Sequence, residues 1–272
     1  MRPPVVLGLD FGGSKIAMAV ADGDGQTLGS SRVFTDPGLG ARWNLDHGIA
    51  NAHSLLESVA PGAEVAAVGA CTFGIPATHG IHLAPAIPGW SDLSLGLELE
   101  AAFGTRAVRT VTDVKAAAAA EYRTGALAGH DPAIYLNLGT GLAVALVCNG
   151  QVLAGANGAA GEIGYSLRQP ADVELGLDER SILEDVVSGM AVAATGMRRL
   201  DEELSAADVF SLEFKDPRLA GALDEFIREL SFVVVNLSIA IDPSRIAVGG
   251  GMVRSWTRIE PHLRKALETN AP

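Results

Sequence analysis

The sequence predicts an α/β protein of two lobes. Three observations carry that prediction: apolar strands that break into Gly-rich turns, a three-strand meander that occurs twice, and helical segments between and after the two copies. A chain of 272 residues is long enough for two modest domains, each with its own core.

The elements follow in order. Residues 5–9 are an apolar strand that runs into Asp10-Phe-Gly-Gly-Ser-Lys15, and residues 16–21 form a second strand ending at Asp22-Gly-Asp-Gly25. A third strand near residues 28–34 completes a meander. In residues 45–59, Ile49, Ala52, Leu55, Leu56 and Val59 recur at helical spacing, and Pro61-Gly62 ends the helix. A short strand at 65–70, a helix at 93–103 stopping at Gly104, and a strand at 107–111 follow. The second meander begins at residue 134. Leu7-Gly-Leu-Asp-Phe-Gly-Gly-Ser14 lies over Ile134-Tyr-Leu-Asn-Leu-Gly-Thr-Gly141, and the strands 16–21 and 143–148 each end in a turn before Gln26 and Gln151. The remainder reads as helices at 181–195 and 219–241, then a strand at 245–248 that meets Gly249-Gly250-Gly251. The two lobes are expected at 1–112 and 113–272.

Composition narrows the function. Hydrophobic residues make up 48% and charged residues 19%, which suits a packed globular chain rather than a disordered one. A net charge of −12 with no Lys/Arg run argues against nucleic acid and anionic membrane as partners. The N-terminus has no apolar signal-peptide core, and residues 232–241 are too short, and too interrupted by Asn236 and Ser238, to span a bilayer. The expectation is a soluble, cytoplasmic protein with Cys71 and Cys148 as buried free thiols.

Three Gly-rich turns follow apolar strands, at Gly12-Gly13, Gly139-Thr140-Gly141 and Gly249-Gly250-Gly251. Gly lets backbone N–H groups approach phosphate oxygens closely, and a helix N-terminus adds a favourable dipole. No Gly-x-x-x-x-Gly-Lys-Ser/Thr string occurs, which argues against a P-loop. Asp113 ends a strand and opens an Ala-rich helix. By itself that position reads as a plain N-cap or as a carboxylate kept ionised for catalysis.

These strings resemble a known family. Asp10-Phe-Gly-Gly-Ser-Lys15 is similar to the first phosphate motif of the actin/hexokinase/sugar-kinase superfamily, and of its ROK branch in particular. Asn137-Leu-Gly-Thr-Gly141 resembles the second phosphate motif, and Asp242-Pro-Ser-Arg-Ile-Ala-Val-Gly-Gly-Gly251 the adenosine motif. Gly74-Ile-Pro76, Pro88-Gly-Trp90 and Asn157-Gly-Ala-Ala-Gly-Glu-Ile-Gly164 follow further family landmarks in order, so the resemblance covers about residues 5–255. It implies the ribonuclease H-like, two-lobed actin-like ATPase fold and ATP-dependent phosphorylation of a sugar hydroxyl, glucokinase-like, on a hexose, amino sugar or related substrate. It implies Asp113 as general base, and Asp10 as the holder of Mg²⁺ through water. It places Gly12, Gly13, Ser14, Gly139, Thr140 and Gly141 at the phosphates, with Lys15 either beside them or solvated, and Gly249, Gly250 and Gly251 flanking the adenosine of ATP. Glu162, Glu184, Thr112 and Tyr165 face the sugar, where a carboxylate accepts from hydroxyls and fixes the ring. Relatives commonly dimerise, so a homodimer is the assembly implied.

The chain departs from the family's pattern in four ways. Tyr165 stands where a His that serves sugar and zinc is usual. Residues 168–180 hold no Cys or His, so no structural zinc site is expected, and packing among Leu175, Leu177 and Ile182 is expected in its place. Thr112, Lys115 and Ala86 replace Asn residues, which alters the sugar hydrogen-bond set, while His79 and His82 read as solvated loop residues. Finally, relatives continue past residues 263–267 with a further strand and helix. The competing reading is a non-catalytic sugar- or nucleotide-binding regulator. The family's DNA-binding repressors carry an N-terminal winged helix, whereas this chain begins at the first strand, and intact Asp10, Asp113, Glu162 and Gly-Thr-Gly favour the kinase.

Overall fold

The alternation of the first strand decides the first core. In β1 (Val5–Phe11) the residues Val5, Leu7, Leu9 and Phe11 are buried while Val6 and Gly8 are not, the period-two signature of a half-buried strand. The computed structural model describes residues 3–271 of the chain. β1 pairs antiparallel with β2 (Lys15–Ala21), and β2 pairs antiparallel with β3 (Thr27–Phe34). The helix α1 (Gly40–Val59) then returns the chain to β4 (Val65–Thr72), which lies parallel to β1 with Asp10 opposite Cys71. The fully buried positions of α1 are Asn44, Leu45 and Ala52, and Gly48 lies against the Phe11 and Ile16 side chains.

A two-residue hairpin of β5 (Ile75–Pro76) and β6 (Ile81–His82) leaves His79 and His82 exposed. The helix α2 (Leu95–Phe103) stops at Gly104, which takes the left-handed conformation, and β7 (Val108–Thr112) pairs parallel with β4. The strand order is β3-β2-β1-β4-β7. Buried Trp90 anchors this core, with its ring centroid 5.7 Å from Phe11 and 5.4 Å from Phe73, and its Nε1–H donates to Thr72 Oγ1 at 2.9 Å. Each fully buried large apolar side chain of this kind contributes on the order of 2 kcal/mol. At the end of β7 the chain enters α3 (Asp113–Thr124).

The second sheet runs β10-β9-β8-β11. β8 (Ala133–Leu138) and β9 (Leu142–Cys148) form the hairpin, β10 (Gln151–Val152) adds two residues, and β11 (Arg245–Gly249) lies parallel to β8. Four helices follow the meander in sequence: α4 (Gly189–Leu200), α5 (Ala206–Leu212), α6 (Asp224–Ile241) and α7 (Trp256–Asn270). Leu136, Leu138, Val144, Val187 and Leu230 centre this core, with Phe210 and Phe226 edge to face at 5.9 Å.

The chain divides into two units. One runs to Ala116 and takes in Ala154–Ala159; the other holds Ala117–Leu153 and everything from Ala160 onward.

Two expected helices begin later than their periodicity suggests. The segment 181–195 is a single 3-10 turn at Leu183–Asp185 followed by α4, because the Ser188 side chain accepts from Ala191 N–H at 3.0 Å and starts the helix there. α6 starts at Asp224 rather than 219, since Gly221 at φ 67° turns the chain just before it. The expected packing of Leu175, Leu177 and Ile182 is also corrected. Leu175 and Leu177 are 44% and 46% exposed and Ile182 is half-buried, while polar contacts hold the segment instead. Both thiols are free, as expected, but only half-buried.

Candidate active site

In the first unit, three parallel strands bring the chemistry to one sheet edge. Asp10 lies near the end of β1, Cys71 and Thr72 at the end of β4, and Thr112 and Asp113 where β7 passes into α3. The register sets Asp10 opposite Cys71 and Thr72 opposite Thr112. Carboxyl ends of parallel strands are where α/β sheets gather ligands, because the helices that follow present N–H groups there. Thr112 is buried, and its Oγ1 accepts from Lys115 N–H at 3.3 Å. The Asp113 carboxylate accepts from Val114 N–H at 2.8 Å.

Water reaches the Asp113 side chain, yet protein crowds it on most sides. That desolvation is the largest influence on the group and raises its proton affinity above the ordinary Asp value of 3.8. The Val114 N–H opposes the rise, the negative charge of Asp10 adds to it, and the Lys115 ammonium works against it.

Cys71 donates its S–H to Asp10 Oδ1 at 3.4 Å. Burial, then the charge of Asp10, pushes the thiol far above its usual range, so it stays a donor. Sequence reasoning passed over Cys71 and treated Lys115 only as a lost Asn. The register of β4 against β1 was the signal for the first. The buried position of Lys115, one turn into α3, had no signal in sequence. The turn after β1 holds Gly12, Gly13, Ser14 and Lys15. Gly12 N–H donates to Lys15 C=O at 2.9 Å, and Thr35 Oγ1 donates to Gly12 C=O at 2.8 Å. Gly13, Ser14 and Lys15 are exposed.

The second unit brings together the other Gly turns. Gly139 N–H donates to Gly141 C=O at 3.1 Å to close the hairpin turn, and the first amides of α4 reach it. Gly189 N–H donates to Gly139 C=O at 2.9 Å and Met190 N–H to Thr140 C=O at 3.3 Å. Gly250, at φ 93°, presses on the same turn, so a Cβ there would run into the Leu138 carbonyl oxygen. Gly249 lies against the Tyr135 hydroxyl, and Gly251 starts a 3-10 turn that leads into α7. These turns border a cavity of about 290 Å³ whose lining includes Gly139, Thr140, Met190, Ala206, Phe210 and Gly251. The lining thus combines backbone of the Gly turns with the apolar side chains of Met190, Ala206 and Phe210. Met190 and Phe210 were not singled out from the sequence, since nothing in their local pattern separates a cavity wall from core.

Glu162, Tyr165 and Glu184 also gather in this unit. Glu184 Oε2 accepts from Leu142 N–H at 2.6 Å, and the carboxylate lies so close to Gly141 that a Cβ there would strike it. Glu162 precedes the 3-10 turn Ile163–Tyr165 and accepts from Tyr165 N–H at 3.2 Å through its carbonyl. Burial, then the charges of Glu184 and Glu162, raises the Tyr165 phenol, which keeps it protonated and able to donate.

Among the described residues no three His, Cys, Asp or Glu side chains form a metal cage. The Asp10 carboxylate, on the same sheet edge as Asp113, is the kind of donor Mg²⁺ takes, since that ion retains several waters and uses one or two protein oxygens beside phosphate. No helix among the described residues is long and apolar enough to cross a membrane.

Comparison with known proteins identifies the family. The model of the ROK family matches residues 6–271. A glucokinase of Streptomyces coelicolor is 28% identical over 285 residues, covering 97% of this chain and 87% of that protein. A kanosamine kinase of Amycolatopsis mediterranei is 28% identical over 272 residues, covering 96% and 85%. Among solved structures, a ROK family glucokinase from Streptomyces griseus in complex with glucose and AMPPNP superposes with a TM-score of 0.74 at 26% identity, over 97% of this chain and 89% of that one.

Proposed function

The chain belongs to the ROK family and has the actin-like ATPase fold, and on that premise we propose that it is a sugar kinase moving the γ-phosphoryl group of ATP to a sugar hydroxyl. The observation that carries the reading is Asp113. It is a carboxylate at a strand-to-helix junction whose proton affinity is raised by its surroundings, on the same sheet edge as Asp10. Similarity to kinases of glucose and of an amino sugar supports a hexose or amino hexose as substrate.

In this reading Asp113 accepts the proton of the attacking hydroxyl as its oxygen bonds to the γ-phosphorus, and the bond to ADP breaks. A carboxylate suffices, because the loose transition state needs the proton removed only late. Glu162 and Glu184 accept from sugar hydroxyls, the Tyr165 phenol donates, and Thr112 contributes a hydroxyl in place of the family's amide. Backbone at Gly12, Gly13, Ser14, Gly139, Thr140 and Gly141 faces phosphate, with Lys15 beside it, and Gly249, Gly250 and Gly251 border the adenosine. Asp10 would hold Mg²⁺ through water, and the ion would supply positive charge to the phosphate oxygens.

The test is ADP release with Mg-ATP across hexoses, hexosamines, N-acetylhexosamines and polyols, with Asp113→Asn alongside. Turnover with a sugar, lost in the variant, establishes the kinase and its substrate. Silence across the panel with ATP still bound would replace it by a non-catalytic binding protein.

A further inference from the structure

The segment that carries Glu162, Tyr165 and Glu184 has little apolar anchorage. It runs through four short 3-10 turns, and Val173, Leu175 and Leu177 all lie exposed. Charged side chains tie it down. Asp172, itself buried, accepts from Arg168 N–H at 3.0 Å, Gln169 N–H at 3.2 Å and Gln169 Nε2 at 3.1 Å. Arg168 reaches to α6, donating from Nη2 to Glu225 Oε1 at 2.8 Å and Glu229 Oε1 at 3.0 Å. Arg180 turns the other way. Its Nη2 donates to the Tyr165 carbonyl at 2.9 Å and its Nη1 to the Ser166 carbonyl at 3.3 Å.

Those two carbonyls close the 3-10 turn on which Tyr165 stands, and the end of a helical turn leaves its C=O groups without intrahelical donors. A guanidinium is suited to the task, since its rigid planar fork can hold two successive oxygens at once, where an ammonium is a single point charge. From this geometry we infer that Arg180 is a positioning residue for sugar recognition. By gripping the backbone at Tyr165 and Ser166 it fixes the phenol beside Glu162 and Glu184, and Asp172 and Arg168 hold the rest of the segment against α6. This rests on the assignment of Glu162, Tyr165 and Glu184 to the sugar. Because none of the Arg180, Asp172 and Arg168 bonds involves Asp113 or a Gly turn, the inference bears on sugar affinity.

The experiment is steady-state kinetics of wild type, Arg180→Gln, Arg180→Lys and Tyr165→Phe on the full chain, with the sugars of the panel above as probes and thermal melts in parallel. Arg180→Gln should raise the sugar KM about tenfold, a loss of about 1.4 kcal/mol, with kcat and the KM for Mg-ATP within about threefold of wild type. Arg180→Lys should recover part of the affinity and keep a near-native melt, which preserves the test if the Gln variant does not fold. Tyr165→Phe combined with Arg180→Lys should add little beyond Tyr165→Phe alone. An unchanged sugar KM in both Arg180 variants, or losses in kcat and both KM values together, overturns the inference while the kinase stands. No turnover by wild type on any sugar removes the kinase reading and this inference with it.

Discussion

The two meanders share a plan and differ in what they do with it. Each is a strand, a three-residue turn and a returning strand, with a later parallel strand beside the first: β1, β2 and β4 in one unit, β8, β9 and β11 in the other. Asp10 in the first occupies the place of Asn137 in the second. The first turn is loosely surrounded, with a Cβ on Gly13 meeting only the Ala86 methyl at 3.9 Å, whereas the second is pinned by α4 amides and by Gly250. One copy of the scaffold has become acidic and presents carboxylates. The other carries an amide, Asn137, at its strand end and a backbone turn beside a cavity, with the Glu184 carboxylate against Gly141. A shared fold thus fixes where a site can stand, and a single side chain at the strand end decides its chemistry.

Removing the acidic side's base should have the largest effect. Asp113→Asn should lower kcat by about 10³-fold, in the range of a lost general base, while calorimetric sugar affinity stays within about threefold. Comparable turnover in that variant would remove Asp113 from the chemistry. Exchanging the strand-end residues comes next. Asp10→Asn should raise the Mg²⁺ concentration for half-maximal rate about tenfold, and Asn137→Asp should raise the KM for Mg-ATP about tenfold by setting a charge beside phosphate. If the two exchanges act alike, the division of roles between Asp10 and Asn137 at the two strand ends is wrong.

The turns themselves offer a third contrast. Gly250→Ala must place a side chain at φ 93° against the Leu138 carbonyl, and should destabilise the protein by about 2–3 kcal/mol in denaturant melts. Gly13→Ala, with open space around it, should shift stability by no more than about 0.5 kcal/mol.

The smallest effect is on pH. The raised Asp113 affinity means that kcat/KM should fall on acidification through a pKa above 3.8, an acid limb that Asp113→Asn lacks. For stability the sign is opposite to that of a salt-bridged carboxylate. The folded chain holds this proton more tightly than the unfolded one, so stability at this group declines as pH rises through the window above 3.8. Asp113→Asn should therefore melt slightly higher than wild type near pH 7, with the difference vanishing toward pH 4.

Much of this was legible in the sequence, for reasons that can be stated by residue. Val5 to Phe11 alternates with period two, the turn glycines punctuate it, and the same pattern returns at residue 134, so both hairpins could be read directly. The Gly turns at strand ends suggested phosphate by themselves, whereas the roles expected of Asp10 and Asp113 came from the family resemblance, since position alone left a plain N-cap open. What escaped was set by contacts remote in sequence. Arg168 meets Glu225 and Glu229 across 57 and 61 residues, and such pairs leave no period to read. Local apolar residues suggested packing at Leu175 and Leu177 because a polar network of that span has no local trace. The start of α4 was missed for the converse reason, since apolar spacing ran on through a Ser188 cap that sets the true boundary.

The bonds from Gly189 and Met190 to the Gly139 and Thr140 carbonyls have a practical consequence. A helix whose leading N–H groups are satisfied by the carbonyls of a turn cannot let those protons go without the turn opening. If the turn holds nucleotide as proposed, hydrogen–deuterium exchange at these two amides should slow when nucleotide is added, at positions that need not touch it through their own amides.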